Sequence, residues 1–361
     1  MEERIEWVTD ARRFAALQPG WDALAAGDPL PFSRHAWFDA YARGFGHGQS
    51  LAVCVLWRGD EPAAAFPLWR HARRLEALAH AHHTPVFRIP ARDPEALATV
   101  TAAALTAADG GELAVEALAE GDAEVAALAQ AAGARRRLVL VEPQHVSPIV
   151  DTVGAFEDYR LRMKSHWREL ERRRRKMHRE HDVRHELVYS PEDLDAALAR
   201  GFAVEAGGWK GAAGTAIVSS PDTDAFYRAV AHGFHRTGGL RLSELWLDGR
   251  LVAFDLSLLH GGRLHLLKTG YDERVRALAP GLVLRRAVIE RCFELGLEAH
   301  ELLGDDMPWK RLFATSERRH HRLTAYGRRP VPLARYAHRR GMPALRRLYV
   351  RHVKPHVLRA P

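Results

Sequence analysis

Between Lys268 and Leu284 the chain sets a cation, a phenol and a carboxylate (Lys268, Tyr271, Asp272) at the end of an apolar run. A short loop, Ala279-Pro280-Gly281 and a second apolar pattern follow. Leu282, Ala287, Val288, Cys292 and Leu295 recur at helical spacing, and Gly296 suits a left-handed cap. A helix whose N-terminus directly follows a strand and a loop presents free N–H groups and the positive end of its dipole. The chemistry predicted there is the seating of an anion, a phosphate above all. Three more carboxylates stand nearby in sequence: Glu244 inside the run 241–247, and the neighbours Asp305 and Asp306.

Those residues need a sheet to position them. Arg241–Leu247, Leu251–Leu259 and Arg263–Thr269 read as three strands, reversed at Asp248-Gly249 and Gly261-Gly262, pairs that tolerate positive φ. From Leu240 to Lys310 the expected order is strand, hairpin, strand, hairpin, strand, loop, helix, strand.

The 361 residues suffice for two domains, and 47% apolar with 27% charged residues is a globular composition. No run reaches the ~18 apolar residues of a spanning helix. Met1-Glu2-Glu3-Arg4 has no apolar signal core, and Cys54 and Cys292 both fall inside apolar patterns, so a soluble cytoplasmic protein is expected. The charge is lopsided. Residues 318–361 hold thirteen Arg and Lys and no acid; taking these from the net +8 leaves −5 on the preceding 317 residues.

Along the chain, residues 5–9 read as a first strand and Ala11–Ala26 as a helix. Leu51–Trp57 and Ala63–Trp69 read as a strand pair, Ala96–Ala108 and Ala123–Ala132 as helices, and Glu112–Ala117 and Arg137–Val141 as strands. Pro143 and Pro148 punctuate a join near 142–150. Phe156–Glu180 reads as a strongly basic helix with a stripe of Met163, Trp167, Leu170 and Met177, either a solvated face or an anion-facing wall. The first half thus repeats the α/β plan of the second without its Pro-Gly loop.

The runs KTGYDERVRALAPGLVL (268–284) and LGDDMPWKRLF (303–313) resemble the GNAT acyltransferase superfamily, in particular its CelD-like bacterial branch, which is related to the Fem-type aminoacyl transferases. The resemblance implies an α/β fold of tandem GNAT-like domains with mixed sheets flanked by helices. The expected parts are a degenerate domain over 1–145, an acyltransferase domain over 146–327 and a basic C-terminal extension over 328–361. It implies acyl-CoA as donor, seated through Arg276, Ala279, Gly281 and Leu282, although Ala279 stands where the family pattern has its middle Gly and Pro280 precedes the last one. It further implies Glu244, Lys268, Tyr271 and Asp305 as catalytic candidates, and Trp209, Lys210, Trp309 and Lys310 as substrate contacts.

The function so implied is N-acyl transfer to an amine of a sugar, lipid or cell-envelope precursor, with no metal. The alternatives are aminoacyl transfer from tRNA and a non-catalytic binding module. The basic tail is expected to meet an anionic surface such as the inner membrane face, or to pack on the acidic body. There is no Walker loop and no Gly-x-Ser-x-Gly elbow. His80, His82 and His83 lack acids at metal-ligand spacing and read as structural or surface residues.

Overall fold

A computed structural model describes residues 2–348 apart from 81, 209, 210 and 212. Fourteen strands occur among the described residues: β1 (Glu3–Val8), β2 (Ser50–Leu51), β3 (Val53–Arg58), β4 (Glu61–Phe66), β5 (Leu68–His71), β6 (Arg74–Ala77), β7 (Glu112–Ala119), β8 (Leu138–Asp151), β9 (Val183–Tyr189), β10 (Leu240–Leu247), β11 (Arg250–His260), β12 (Arg263–Tyr271), β13 (Ala299–Glu301) and β14 (Ser316–Tyr326). A small sheet has the order β1-β3-β4, and a mixed sheet of eleven strands runs β2-β5-β6-β7-β14-β8-β13-β12-β11-β10-β9.

The repeat expected from sequence is present in the pairing. In the first half the hairpin β5–β6 leads through helix Pro94–Ala107 to β7, which lies parallel to β6. In the second half the hairpin β11–β12 leads through helix Pro280–Glu294 to β13, parallel to β12. Each half then gives its last strand to the other. β8 ends the first half yet pairs with β13, while β14 ends the second half and pairs with β7. β8 and β14 pair along the middle and fuse the halves into one sheet. The fold is α/β, with the sheet flanked by helices.

Three local expectations change. Residues 11–26 form two helices, Ala11–Ala16 and Gln18–Leu24, because Pro19 cannot continue the first and sits comfortably in the first turn of the second. The basic segment also divides, at Met163, into Phe156–Arg162 and Lys164–Glu180. The stretch 142–150 is no loop: it is the body of β8. Pro143 and Pro148 fit there because β13 reaches β8 only at Ile149–Asp151, so the rest of that edge asks no N–H of them.

The strands that matter diverge. The parallel ladder between β12 and β13 stops at His265 and Glu301. Beyond it β12 carries a bulge at Leu267 and runs on to Tyr271, while the chain after β13 turns away through Leu302 and Leu303. The base of this wedge is pinned by Glu301, fully buried, which accepts from Arg263 at 2.9 Å and from Arg318 at 2.7 Å.

Candidate functional site

The wedge opens into a cavity of about 930 Å³. One wall is β12 from Leu266 to Tyr271, a second is the turn from Leu302 to Lys310, and a third is the rim at Arg276, Ala279, Gly281 and Leu282. His82, His83, Thr84 and Pro85 close it from the first half of the chain.

Lys268 faces the cavity with its amine 4.7 Å from the centre of the Tyr227 ring. Burial holds this amine below the ordinary lysine value, and the nearby charge of Glu205 opposes that shift. Tyr271 lies on the opposite side of β12's end, where burial and a hydrogen bond to Glu273 raise its phenol. Its ring packs on the helix start: a β-carbon at Gly281 would stand 3.3 Å from Tyr271 Cδ1.

At the expected phosphate seat, Ala279 takes a left-handed conformation (φ 52°, ψ 52°) as N-cap of helix Pro280–Glu294. Pro280 has no N–H to offer. The N–H groups of Leu282 and Val283 both donate back to the Ala279 carbonyl, each at 3.0 Å. Arg276 is exposed at the rim. The helix start expected to seat an anion therefore offers fewer outward N–H groups than a helix N-terminus usually presents.

The turn after β13 is fixed from within. Leu303 and Gly304 have positive φ, 46° and 54°. The Lys310 ammonium donates to the carbonyls of Leu303 and of Asp305, the latter at 2.9 Å, and Ser147 Oγ donates to the Gly304 carbonyl at 3.0 Å. Lys310, expected as a substrate contact, thus holds the turn that shapes the wall. Trp309 does line the cavity, backed by the Arg285 guanidinium 5.8 Å from its ring. Asp305 is at the cavity's exposed edge.

Glu244, expected as a base, is not brought to this cavity. It sits on β10, two strands away from β12, where it is fully buried, accepts from Trp246 Nε1 at 3.1 Å and pairs with Arg200 at 3.6 Å. Trp209 and Lys210 lie outside the described residues. The basic wall of helix Lys164–Glu180 is paired in part within the helix itself, though its Arg and Lys still outnumber its Glu. Glu169 holds Arg172 and Arg173, and Glu171 holds Arg174 and Arg175.

Sequence reasoning missed Glu205, Tyr227 and the histidines. Helix Leu194–Ala206 buries Leu194, Ala197, Leu198, Gly201, Phe202 and Glu205, so a carboxylate falls on the buried stripe of an otherwise apolar face. That was the available signal. His83, expected to be merely structural, stacks on Phe45 and approaches the Tyr227 hydroxyl at 3.3 Å, with burial pressing its imidazole down to about 3. No spacing in the sequence pointed to it.

Among the described residues no three His, Cys, Asp or Glu side chains gather to hold a metal, and no helix is long and apolar enough to cross a membrane. Helix Pro330–Leu348 of the basic extension docks on the body. Arg335 donates to Glu112 at 3.0 Å, Arg339 pairs with Glu142 at 3.3 Å, and the Tyr336 ring lies 5.5 Å from that of Tyr326. The rest of the extension lies outside the described residues.

A splayed parallel strand pair with a bulge on one arm and a helix start at its mouth frames the cavity. Residues 164–311 match the family model described as Acetyltransferase (GNAT) domain, so this segment of the chain carries a GNAT-type acyltransferase domain. Solved structures share the fold at low identity. The C-terminal domain of a protein assigned as a lysylphosphatidylglycerol synthetase from Agrobacterium fabrum is 13% identical, with a TM-score of 0.58 over 89% of this chain and 94% of that one. L-PGS from Bacillus licheniformis is 11% identical, with a TM-score of 0.54 over 88% and 93%. FemX is 10% identical, with a TM-score of 0.53 over 88% and 97%. No curated protein matches in sequence.

Proposed function

We infer that the chain is an N-acyltransferase that moves an acyl group from acyl-CoA to an amine of a sugar, lipid or cell-envelope precursor. The observation that carries this reading is the cavity itself, which joins the helix start at Gly281 to Lys268 and Tyr271 on one splayed strand. The donor's pyrophosphate would lie at Arg276 and Gly281, and its thioester would lie along β12 beyond the end of the parallel ladder. There N–H groups no longer engaged by β13 can meet the developing oxyanion. Tyr271 would protonate the departing thiolate. Transfer is direct, within a ternary complex.

One observation favours a second reading, aminoacyl transfer from tRNA: the seat is short of outward N–H groups, and Gly281 is packed by Tyr271. Two of the similar folds carry the names lysylphosphatidylglycerol synthetase and FemX. The domain divisions at 145 and 327, and attachment of the basic extension to an anionic membrane face, belong to the same proposal; the docked pairs of Arg335 and Arg339 support packing for the part up to Arg339.

Calorimetric titration with CoA, acetyl-CoA and charged tRNA separates the two donors. Saturable CoA binding that Arg276→Ala and Gly281→Val weaken is the expected result. Binding of tRNA without CoA would replace the first reading by the second.

A further inference from the structure

We propose that Glu205 is a catalytic residue of this cavity, the base that takes the proton of the acceptor as the new acyl bond forms. The assignment rests on the acyl-CoA reading above.

Four observations converge on it. Glu205 and Asp305 are the only carboxylates on the described cavity wall, and of the two Glu205 is buried, 2% exposed, whereas Asp305 sits at the wet edge. A carboxylate withdrawn from water need not shed a full hydration shell to react. Second, Glu205 occupies a position on its helix that packing alone would give to an apolar residue, following Leu198, Gly201 and Phe202 on the buried stripe. A buried carboxylate is costly to keep without a task.

Third, its placement is built in from two directions. The Ile217 N–H donates to Glu205 Oε2 at 2.8 Å, which fixes the carboxylate plane. Gly270 on β12 lets the helix close against the strand: a β-carbon there would fall 2.7 Å from Glu205 Cα. The carboxylate is thereby held beside the segment Lys268–Tyr271, where the acyl carbonyl must lie. Fourth, Lys268 and Tyr227 share its field in the same cavity. A cation at Lys268 disfavours the ammonium form of an entering amine and so helps present it as a nucleophile.

The step balances. The acceptor nitrogen forms the C–N bond with its lone pair, and its proton passes to the Glu205 carboxylate. The C–S bond breaks, and the thiolate takes a proton, leaving an amide and CoA thiol. With water as acceptor the same base yields the free acid and CoA thiol.

The test follows thiol release from acetyl-CoA, with water and then glucosamine as acceptor, alongside CoA affinity by calorimetry and the melting temperature. Glu205→Gln keeps the shape and the bond from Ile217. It is expected to melt and to bind CoA as the wild type does while releasing thiol ~10²–10⁴-fold more slowly. Glu205→Asp should retain part of the rate, and added formate should restore part of it to Glu205→Ala. A Glu205→Gln rate within threefold of wild type overturns the assignment. So does a loss of rate that tracks lost CoA affinity or melting temperature with no rescue by formate. Wild-type protein that binds CoA but releases no thiol also counts against a base here, whereas wild-type protein that does not bind CoA overturns the donor reading first and this step with it.

Discussion

Gly270 lies against the backbone of Glu205, so closely that a methyl group on it would come within 2.7 Å of Glu205 Cα and 2.8 Å of its Cβ. Helix Leu194–Ala206 therefore touches β12 with no side chain between them, and Gly201 makes the matching approach on Phe254, where a β-carbon would stand 2.3 Å from the ring. Gly270→Ala is expected to push the helix from the strand at a cost of about 1–3 kcal/mol, the usual range for overpacking. Chemical denaturation measures it. An unchanged midpoint would show that the helix yields freely.

Lys268 is held below the ordinary lysine value of 10.5, chiefly by burial. A lysine with a lowered value in the folded state binds its proton more tightly when unfolded, so its charge costs stability at neutral pH. That cost fades as pH rises from the folded value towards 10.5. Lys268→Met is expected to lose turnover while melting at or above the wild-type temperature at pH 7. The difference should shrink by pH 10, which parallel thermal scans at the two pH values will read.

Arg285 is buried with Asp255 at 2.8 Å and His300 at 2.6 Å, and these tie helix Pro280–Glu294 to β11 and β13 beneath Trp309. Arg285→Met leaves Asp255 without this partner in the core. The expected loss is about 3–5 kcal/mol, as for other broken buried pairs. Urea unfolding will show it, and a shift under 1 kcal/mol, within the range of exposed pairs, would mean the network contributes little.

His265 and His320 are both pressed down to about 3, first of all by burial. Their unfolded values lie near 6.5, so between pH 6.5 and 3 the unfolded chain holds more protons and stability falls as acid is added. Two such groups give a slope of up to roughly 2.7 kcal/mol per pH unit in that window. Unfolding free energies measured from pH 7 to pH 4 test this, and His320→Asn should flatten the slope by one proton.

The sequence by itself determined the local parts whose signals are local. The hairpins at Asp248-Gly249 and Gly261-Gly262, the helix after Pro280, and Lys268 and Tyr271 at the end of one strand were all legible, because turn chemistry and apolar period act over a few residues. Only the tertiary structure decided the rest. β14 begins Ser-Glu-Arg-Arg-His-His-Arg, which no strand pattern favours, yet it runs through the middle of the sheet, since Arg322 meets Glu116 on the neighbouring β7 and Arg318 reaches past β8 to Glu301 on β13. The same exchange of last strands carries residues far apart in the chain into one wall, where His83, Glu205 and Lys268 face a common space. Glu244 was drawn by its strand and excluded by its distance, two strands from the splay. Such placements depend on which strand pairs with which, and pairing across two hundred residues leaves no trace in spacing along the chain.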